Sequence, residues 1–182
     1  LQHEITNILT LDYTTMKIGL LSDTHSYLDP KVFEYFADCD EVWHGGDVGD
    51  ESLLDQLEAF KPLRGVYGNI DGTAVRRRLP LNLDFEVEGL RVFITHIGGY
   101  PGRYTHRVRK LLDETKRGLY ICGHSHILKV MMDKKRHCLH MNPGACGKHG
   151  FHHMRTLLRF DVEKGRIENL EVIELGLRGK VD

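Results

Sequence analysis

Five short segments of this 182-residue chain carry side chains able to bind metal ions or move protons: Ser22-Asp23-Thr24-His25, His44-Gly45-Gly46-Asp47, Gly68-Asn69-Ile70-Asp71, Thr95-His96 and Gly123-His124-Ser125-His126. Asp23, His25, Asp47, Asn69, His96, His124 and His126 together offer two carboxylates, four imidazoles and one amide oxygen. This borderline-hard donor set suits divalent Mn, Fe, Zn or Ni, and fits neither an all-oxygen calcium cage nor a thiolate site. One shared carboxylate would serve two ions. In Asp-x-His and His-x-His on an extended segment, alternate side chains project to one side, which brings each pair to one metal region. Glycines ahead of Asp47, Asn69 and His124 are expected to supply sharp turns. Any single motif is bland, because a lone Asp in such a place usually caps a loop and a lone His at a strand end is usually just hydrogen-bonded. The signal lies in recurrence: five apolar runs each end in such a loop.

The elements that must position these loops can be read from periodicity. Lys17 to Leu21 is a short apolar run, expected as a buried strand feeding the Asp23 loop. Asp29-Pro30 reads as an N-cap and first helical position, opening a helix with Val32, Phe33 and Phe36 on one face. Glu41 to Trp43 repeats the strand, and Leu53, Leu54, Leu57 and Phe60 have helical spacing. Leu63 to Tyr67 forms a third strand, and 85–94 a hairpin ending at Thr95-His96. Tyr104, Val108, Leu111 and Thr115 line a further helix, Leu119 to Cys122 leads into the His124 loop, and alternation over 128–141 and 156–175 predicts antiparallel strands turning near Gly165. Strand–helix alternation followed by a β-rich half predicts α/β architecture with two stacked sheets and outer helices in one domain. Strand ends are where such folds build sites.

Composition narrows the function classes. With 41% hydrophobic residues the chain supports one domain with a real core. Residues 16–182 are assigned to it, and 1–15, without clean periodicity, to an N-terminal extension. A net charge of −1 without long single-sign blocks gives no support for a specific nucleic-acid partner. No apolar run approaches the ~20 residues of a bilayer span, so no membrane partner is expected and the location is read as cytoplasmic. Cys39, Cys122, Cys138 and Cys146 are scattered and read as buried thiols. Self-association into a homo-oligomer is left open.

The ordered set DTH, GGD, GN, TH and GHSH resembles the calcineurin-like metallophosphoesterases, particularly their small single-domain prokaryotic phosphodiesterase branch, over Met16 to about Gly144. The resemblance implies a four-layer α-β-β-α sandwich of two mixed sheets, with a dinuclear metal site at the strand ends. It implies that Asp23, His25 and His126 hold one ion and Asn69, His96 and His124 the other, with Asp47 bridging. Asp47, Asn69, His96 and His124 would be the catalytic members. Manganese is the first expectation, with Fe, Zn or Ni as alternatives. The two ions outweigh two carboxylates and a bridging hydroxide, so the cluster stays positive and suits hydroxide attack on a small phosphate-ester substrate, most simply a phosphodiester. Asp71 is expected to support the ligands rather than bind metal. Asn142, in Asn142-Pro143-Gly144, matches the family's turn near the site and equally an ordinary Asx turn.

One departure concerns chemistry. Many relatives place a histidine after the asparagine, where it helps protonate the leaving group, whereas this chain has Ile70. His149, His152 and His153 are expected in a solvated loop, Arg76, Arg77 and Arg78 on a solvent-facing run, and Gly98 to Tyr104 at a mobile site rim. The alternative from another class is a non-catalytic protein-binding scaffold of the same fold, similar to the eukaryotic retromer subunit. A scaffold is free to lose Asp or His at these positions, and this sequence keeps them all.

Overall fold

The computed structural model describes residues 14–179. The N-terminal extension, except Thr14 and Thr15, lies outside them. Strands β1 (Met16–Leu21), β2 (Glu41–His44) and β3 (Leu63–Gly65) run parallel, joined by helices α1 (Lys31–Tyr35) and α2 (Glu51–Phe60). Helix α3 (Thr73–Arg78) leads to the hairpin β4 (Asn82–Val87) and β5 (Leu90–Thr95). Helix α4 (His106–Glu114), β6 (Leu119–Ile121) and the hairpin β7 (Leu128–Asp133) and β8 (Cys138–Pro143) follow. Long β9 (Met154–Glu163) runs antiparallel beside β1, and β10 (Arg166–Leu177) antiparallel beside β9. The result is two five-stranded mixed sheets, ordered β10-β9-β1-β2-β3 and β4-β5-β6-β8-β7.

Strand alternation explains the layers. In β1, Ile18 and Leu20 point between the sheets, whereas Leu21 points out toward Val32 and Phe36 and toward Leu53, Leu54 and Leu57 of α2. In β5, Val92 and Ile94 meet the central layer and Phe93 turns out toward Val108 and Leu112 of α4. Helices thus cover both outer faces. Trp43 is fully buried in the central layer, edge-on to Phe85 and Phe160, and its indole N–H donates to Glu41 at 2.8 Å. Because β1 runs parallel to β2 and β3, and β5 to β6, the C-terminal ends within each set lie on one edge. That edge carries the five loops.

The structure adjusts several local expectations. Helix α1 begins after Pro30, yet the Asp29 carboxylate accepts the Lys31 N–H at 3.0 Å, so Asp29 still satisfies a main-chain donor at the start of the helix. Helix α3 has little apolar periodicity to reveal it, since only Val75 of its six residues is buried. Tyr104 and Thr115 flank α4, whose buried face is Val108 and Leu112, and Thr105 caps it by accepting the Val108 N–H at 3.3 Å. All four cysteines are buried free thiols. No helix among the described residues is long and apolar enough to cross a membrane.

Candidate metal centre

Donor atoms of Asp23, His25, Asp47 and His126 lie within 4.8 Å of one another, and those of Asp47, His96 and His124 form a second such group. Asp47 belongs to both. Its Oδ2 stands 3.2 Å from His96 Nε2 and 3.7 Å from His25 Nε2, while Oδ1 accepts the Ile70 N–H at 3.1 Å. His126 Nε2 is 3.1 Å from Asp23 Oδ1 and 3.3 Å from His25 Nε2. His124 and His126, adjacent in one motif, therefore serve different groups. Asn69 is exposed, one residue before the amide that binds Asp47, and it borders the same cavity as His96.

Convergence arises differently from strand alternation. Asp23, His25, Asp47, His124 and His126 all have positive φ, between 47° and 69°. Non-glycine residues rarely adopt the left-handed region, and clustered examples mark sites where surrounding structure holds a strained backbone for function. Each chain thus kinks at its donor instead of extending past it. The glycines also differ from the expected turns: a Cβ on Gly68 would lie 2.0 Å from Asp47 Oδ1, and one on Gly123 2.2 Å from Ser22 Oγ. Close approach is what these two positions require. Gly46, with φ of +100°, does turn the backbone.

A polar frame fixes the carboxylates. Ser22 Oγ donates to Asp23 Oδ2 at 2.6 Å, and the His124 N–H reaches both Asp23 oxygens at 3.2 Å. Gly46 N–H donates to His44 Nδ1 at 3.0 Å, so the proton of that ring sits on Nε2, 3.0 Å from Thr24 Oγ1, and the Thr24 hydroxyl in turn donates to Val48 O at 2.9 Å. Complete burial pushes the His44 pKa down to about 4, so the ring is a neutral strut. Asp71 accepts Gly49 N–H at 2.8 Å and Gly68 N–H at 2.7 Å, tying the loop after Asp47 to the loop before Asn69. Asn142 accepts Gly144 N–H at 3.0 Å as an Asx turn, and also donates to Gly123 O at 2.8 Å and Ser125 Oγ at 3.1 Å. Both readings of that residue coexist. Ser22, Thr24 and His44 are not among the expected ligands, and their only sequence signal is their place beside Asp23 and the Gly45-Gly46 pair.

The electrostatics suit a divalent cation. His96 Nδ1 lies 2.9 Å from Gly45 O and donates to it, leaving Nε2 as a buried nitrogen with no hydrogen-bond partner. Burial opposes charge on this ring, but the Asp47 and Asp23 carboxylates together hold its pKa above the ordinary 6.5. Asp47 shows the converse: burial favours its neutral form, and His96 first, then the Ile70 amide and His25, keep its pKa low. Burial lowers His25. Imidazole nitrogens gathered beside buried carboxylates form a donor set that fits a divalent metal, which would displace the protons its ligands carry.

The surrounding loops add contacts that the sequence does not reveal, while His149, His153 and Arg76, Arg77 and Arg78 are exposed as expected. His149 is exposed, with its ring 4.9 Å from that of His25, and His152 is half-buried, with its ring 5.3 Å from that of His126. His152 Nε2 donates to Gly147 O at 3.0 Å, leaving Nδ1 buried without a partner. The basic run also divides. Arg78 pairs with Asp55 and Glu58 of α2, while Arg76 lies over the Tyr67 ring and donates to Asp71 O. Gly99 and Tyr100 line a second cavity beside His124.

Comparison with known proteins agrees with this geometry. A probable metallophosphoesterase of Methanothermobacter thermautotrophicus is 32% identical over 135 residues, covering 71% of this chain and 77% of the relative. A phosphodiesterase of Methanocaldococcus jannaschii is 30% identical over 150 residues, covering 72% and 84%. Vps29 of Chaetomium thermophilum superposes with a TM-score of 0.68 over 88% of this chain and 97% of that one, at 18% identity, which speaks to fold alone. The model of the calcineurin-like phosphoesterase superfamily domain matches residues 16–165. The chain is therefore a member of the calcineurin-like phosphoesterase superfamily, in its small single-domain branch.

Proposed function

We propose that the chain is a metal-dependent phosphodiesterase holding two divalent ions, first of all manganese. The observation that carries this reading is the position of Asp47 in both donor groups. In this reading Asp23, His25 and His126 hold one ion, Asn69, His96 and His124 the other, and Asp47 both. Bound there, the ions supply Lewis acidity toward phosphoryl oxygens and a water nucleophile at neutral pH.

The chain's own residues do the positioning. Ser22 and the His124 amide keep the Asp23 oxygens aimed inward, and the Ile70 amide does so for Asp47. Gly45 O holds His96 in the tautomer whose Nε2 is free to ligate. Ile70 is 46% exposed and has no proton to give, so in this reading the leaving oxygen departs with much of its charge. The relative named as a phosphodiesterase supports the diester, and the buried free thiols support a reducing, cytoplasmic setting. The scaffold reading loses ground because six of the seven expected donors gather in two groups that share Asp47.

Turnover of bis(4-nitrophenyl) phosphate by purified protein is the test. Hydrolysis that a chelator abolishes and manganese restores is expected. Undiminished hydrolysis in metal-free protein, or none with metal, contradicts the reading.

A further inference from the structure

A cavity of about 340 Å³ opens beside the second donor group, with Asn69 and His96 on its wall. Away from them it is bounded by Tyr67, Leu81, Ile97, Arg76 and Arg107. Leu81 and Ile97 are 45% and 39% exposed, an apolar surface that a ring would cover. Its size falls in the range of small-molecule sites, roughly 300–1,000 Å³.

The two arginines are held by neutral acceptors. Arg76 donates to Asp71 O at 2.7 Å and Asn69 O at 3.3 Å, with its guanidinium 4.8 Å from the Tyr67 ring centre. Arg107 donates to Asn82 Oδ1 at 2.6 Å, Thr95 Oγ1 at 3.0 Å and Ile97 O at 3.1 Å. Every one of these acceptors is neutral. Elsewhere Arg64, Arg78, Arg117 and Arg155 pair with Asp or Glu, whereas neither cavity arginine has a carboxylate partner among the described residues. Both guanidinia are also anchored at ligand-bearing loops, one on the carbonyl of Asn69 and the other on that of Ile97, next to His96. Two solvent-exposed guanidinia, oriented by neutral acceptors, thus stand beside the second donor group. Arginine in such a fixed fork recognises phosphate or carboxylate oxygens.

We propose that this cavity receives one arm of the phosphodiester, and that this arm bears a ring and an anionic group of its own, as a nucleotide with a second phosphate does. The proposal rests on the phosphodiesterase reading for the first phosphoryl group. The ring lies against Leu81 and Ile97, and Arg76 and Arg107 take the second anion.

Calorimetric titration of the manganese-loaded full chain with adenosine 3′,5′-bisphosphate and with adenosine 5′-monophosphate tests it. Since a charge-assisted contact is commonly worth about tenfold or more in affinity, the bisphosphate should bind at least ~10-fold more tightly. Propane-1,3-diol bisphosphate, with two phosphates and no ring, should bind more weakly than the adenosine compound. The double variant R76Q/R107Q should lose the preference for the second phosphate, and R76K/R107K, which keeps the charge, should retain part of it. Equal affinity for the two nucleotides, equal binding of the ring-free compound, or a lysine variant as impaired as the glutamine one overturns the proposal. Should the glutamine variant not fold, by circular dichroism, the wild-type ligand comparison and the lysine variant decide. A preserved bisphosphate preference in protein without metal-dependent diester turnover supports the cavity assignment and refutes the phosphodiesterase reading. Diester turnover with no such preference refutes the cavity alone.

Discussion

His96 Nε2 lies 3.2 Å from Asp47 Oδ2, while Nδ1 of the same ring bonds Gly45 O at 2.9 Å. The carbonyl claims the ring's one neutral-state proton, so Nε2 presents a lone pair to a carboxylate. Two acceptors at that distance need a cation between or beside them, either a proton or a metal.

This competition should be measurable. Burial opposes charge on His96, but the Asp47 and Asp23 carboxylates raise its pKa against that effect, which favours the protonated ring in metal-free protein near pH 6.5. Manganese binding at that pH should therefore release protons, read as a heat that changes with the buffer's ionisation enthalpy, and His96→Gln should diminish the release. Buffer-independent heats would contradict the assignment.

Asp71→Ala should loosen the site without removing a ligand. It orphans two amides, Gly49 N–H and Gly68 N–H, of which the second is buried. At ~1–3 kcal/mol for a buried unsatisfied group, a loss of roughly 2–4 kcal/mol in unfolding free energy is expected, with a ~10–100-fold fall in activity or metal affinity. Denaturant melts and turnover check both, and a neutral variant would show that this tie is dispensable.

Stability should fall as the pH drops from 6.5 toward 4. Burial lowers His44 and His140 from 6.5 to about 4, so across that window the unfolded chain binds protons the folded chain refuses. Each such shift amounts to about 3 kcal/mol when fully expressed. His140 stacks on Tyr120 at 5.1 Å and its Nδ1 has no partner, so His140→Phe preserves the stack and removes the titration. Its melting temperature should drop less between about pH 7 and about pH 5 than that of the wild type. Parallel curves would show that His140 is not responsible.

Ile70 should make the rate sensitive to the leaving group. General acids contribute ~10²–10⁴-fold, a deficit small for aryl and large for alkyl phosphates. Rates plotted against leaving-group pKa should fall steeply, and Ile70→His should flatten the line if the new ring reaches the leaving oxygen. A flat line in the wild type would point to another donor, with His149 and His152, already packed against His25 and His126, the first to replace.

Much of this architecture is legible in the sequence because alternation and loop chemistry coincide. Ile18, Leu20 and Leu21 divide between two core layers as a buried strand demands, and Asp23 and His25 follow at once. The motifs named the residues that meet at Asp47, since Asp, His and Asn at successive strand ends have few other reasons to recur. What the sequence hid is conformational or long-range. Nothing in Asp-x-His reveals left-handed backbone at both residues, which depends on loops such as Gly46 and Val48 holding Asp23 and Ser26 by main-chain bonds of 2.9 and 2.8 Å. Arg76 and Arg107 are distant in sequence and lie on different helices, and only the fold brings them to a single cavity. The short α3 carries too few buried residues for its period to show.

The most direct test of a shared carboxylate is the metal content of two single variants beside the wild type. Purified wild type loaded with manganese and freed of excess should retain two ions per chain. His124→Ala, which removes a donor from one group, should retain one. Asp47→Asn, which weakens both, should retain little of either and lose more activity than the ~10–100-fold typical of residues behind the ligands. An Asp47→Asn protein with two tightly held ions and normal turnover would contradict the bridging role and the dinuclear centre built on it.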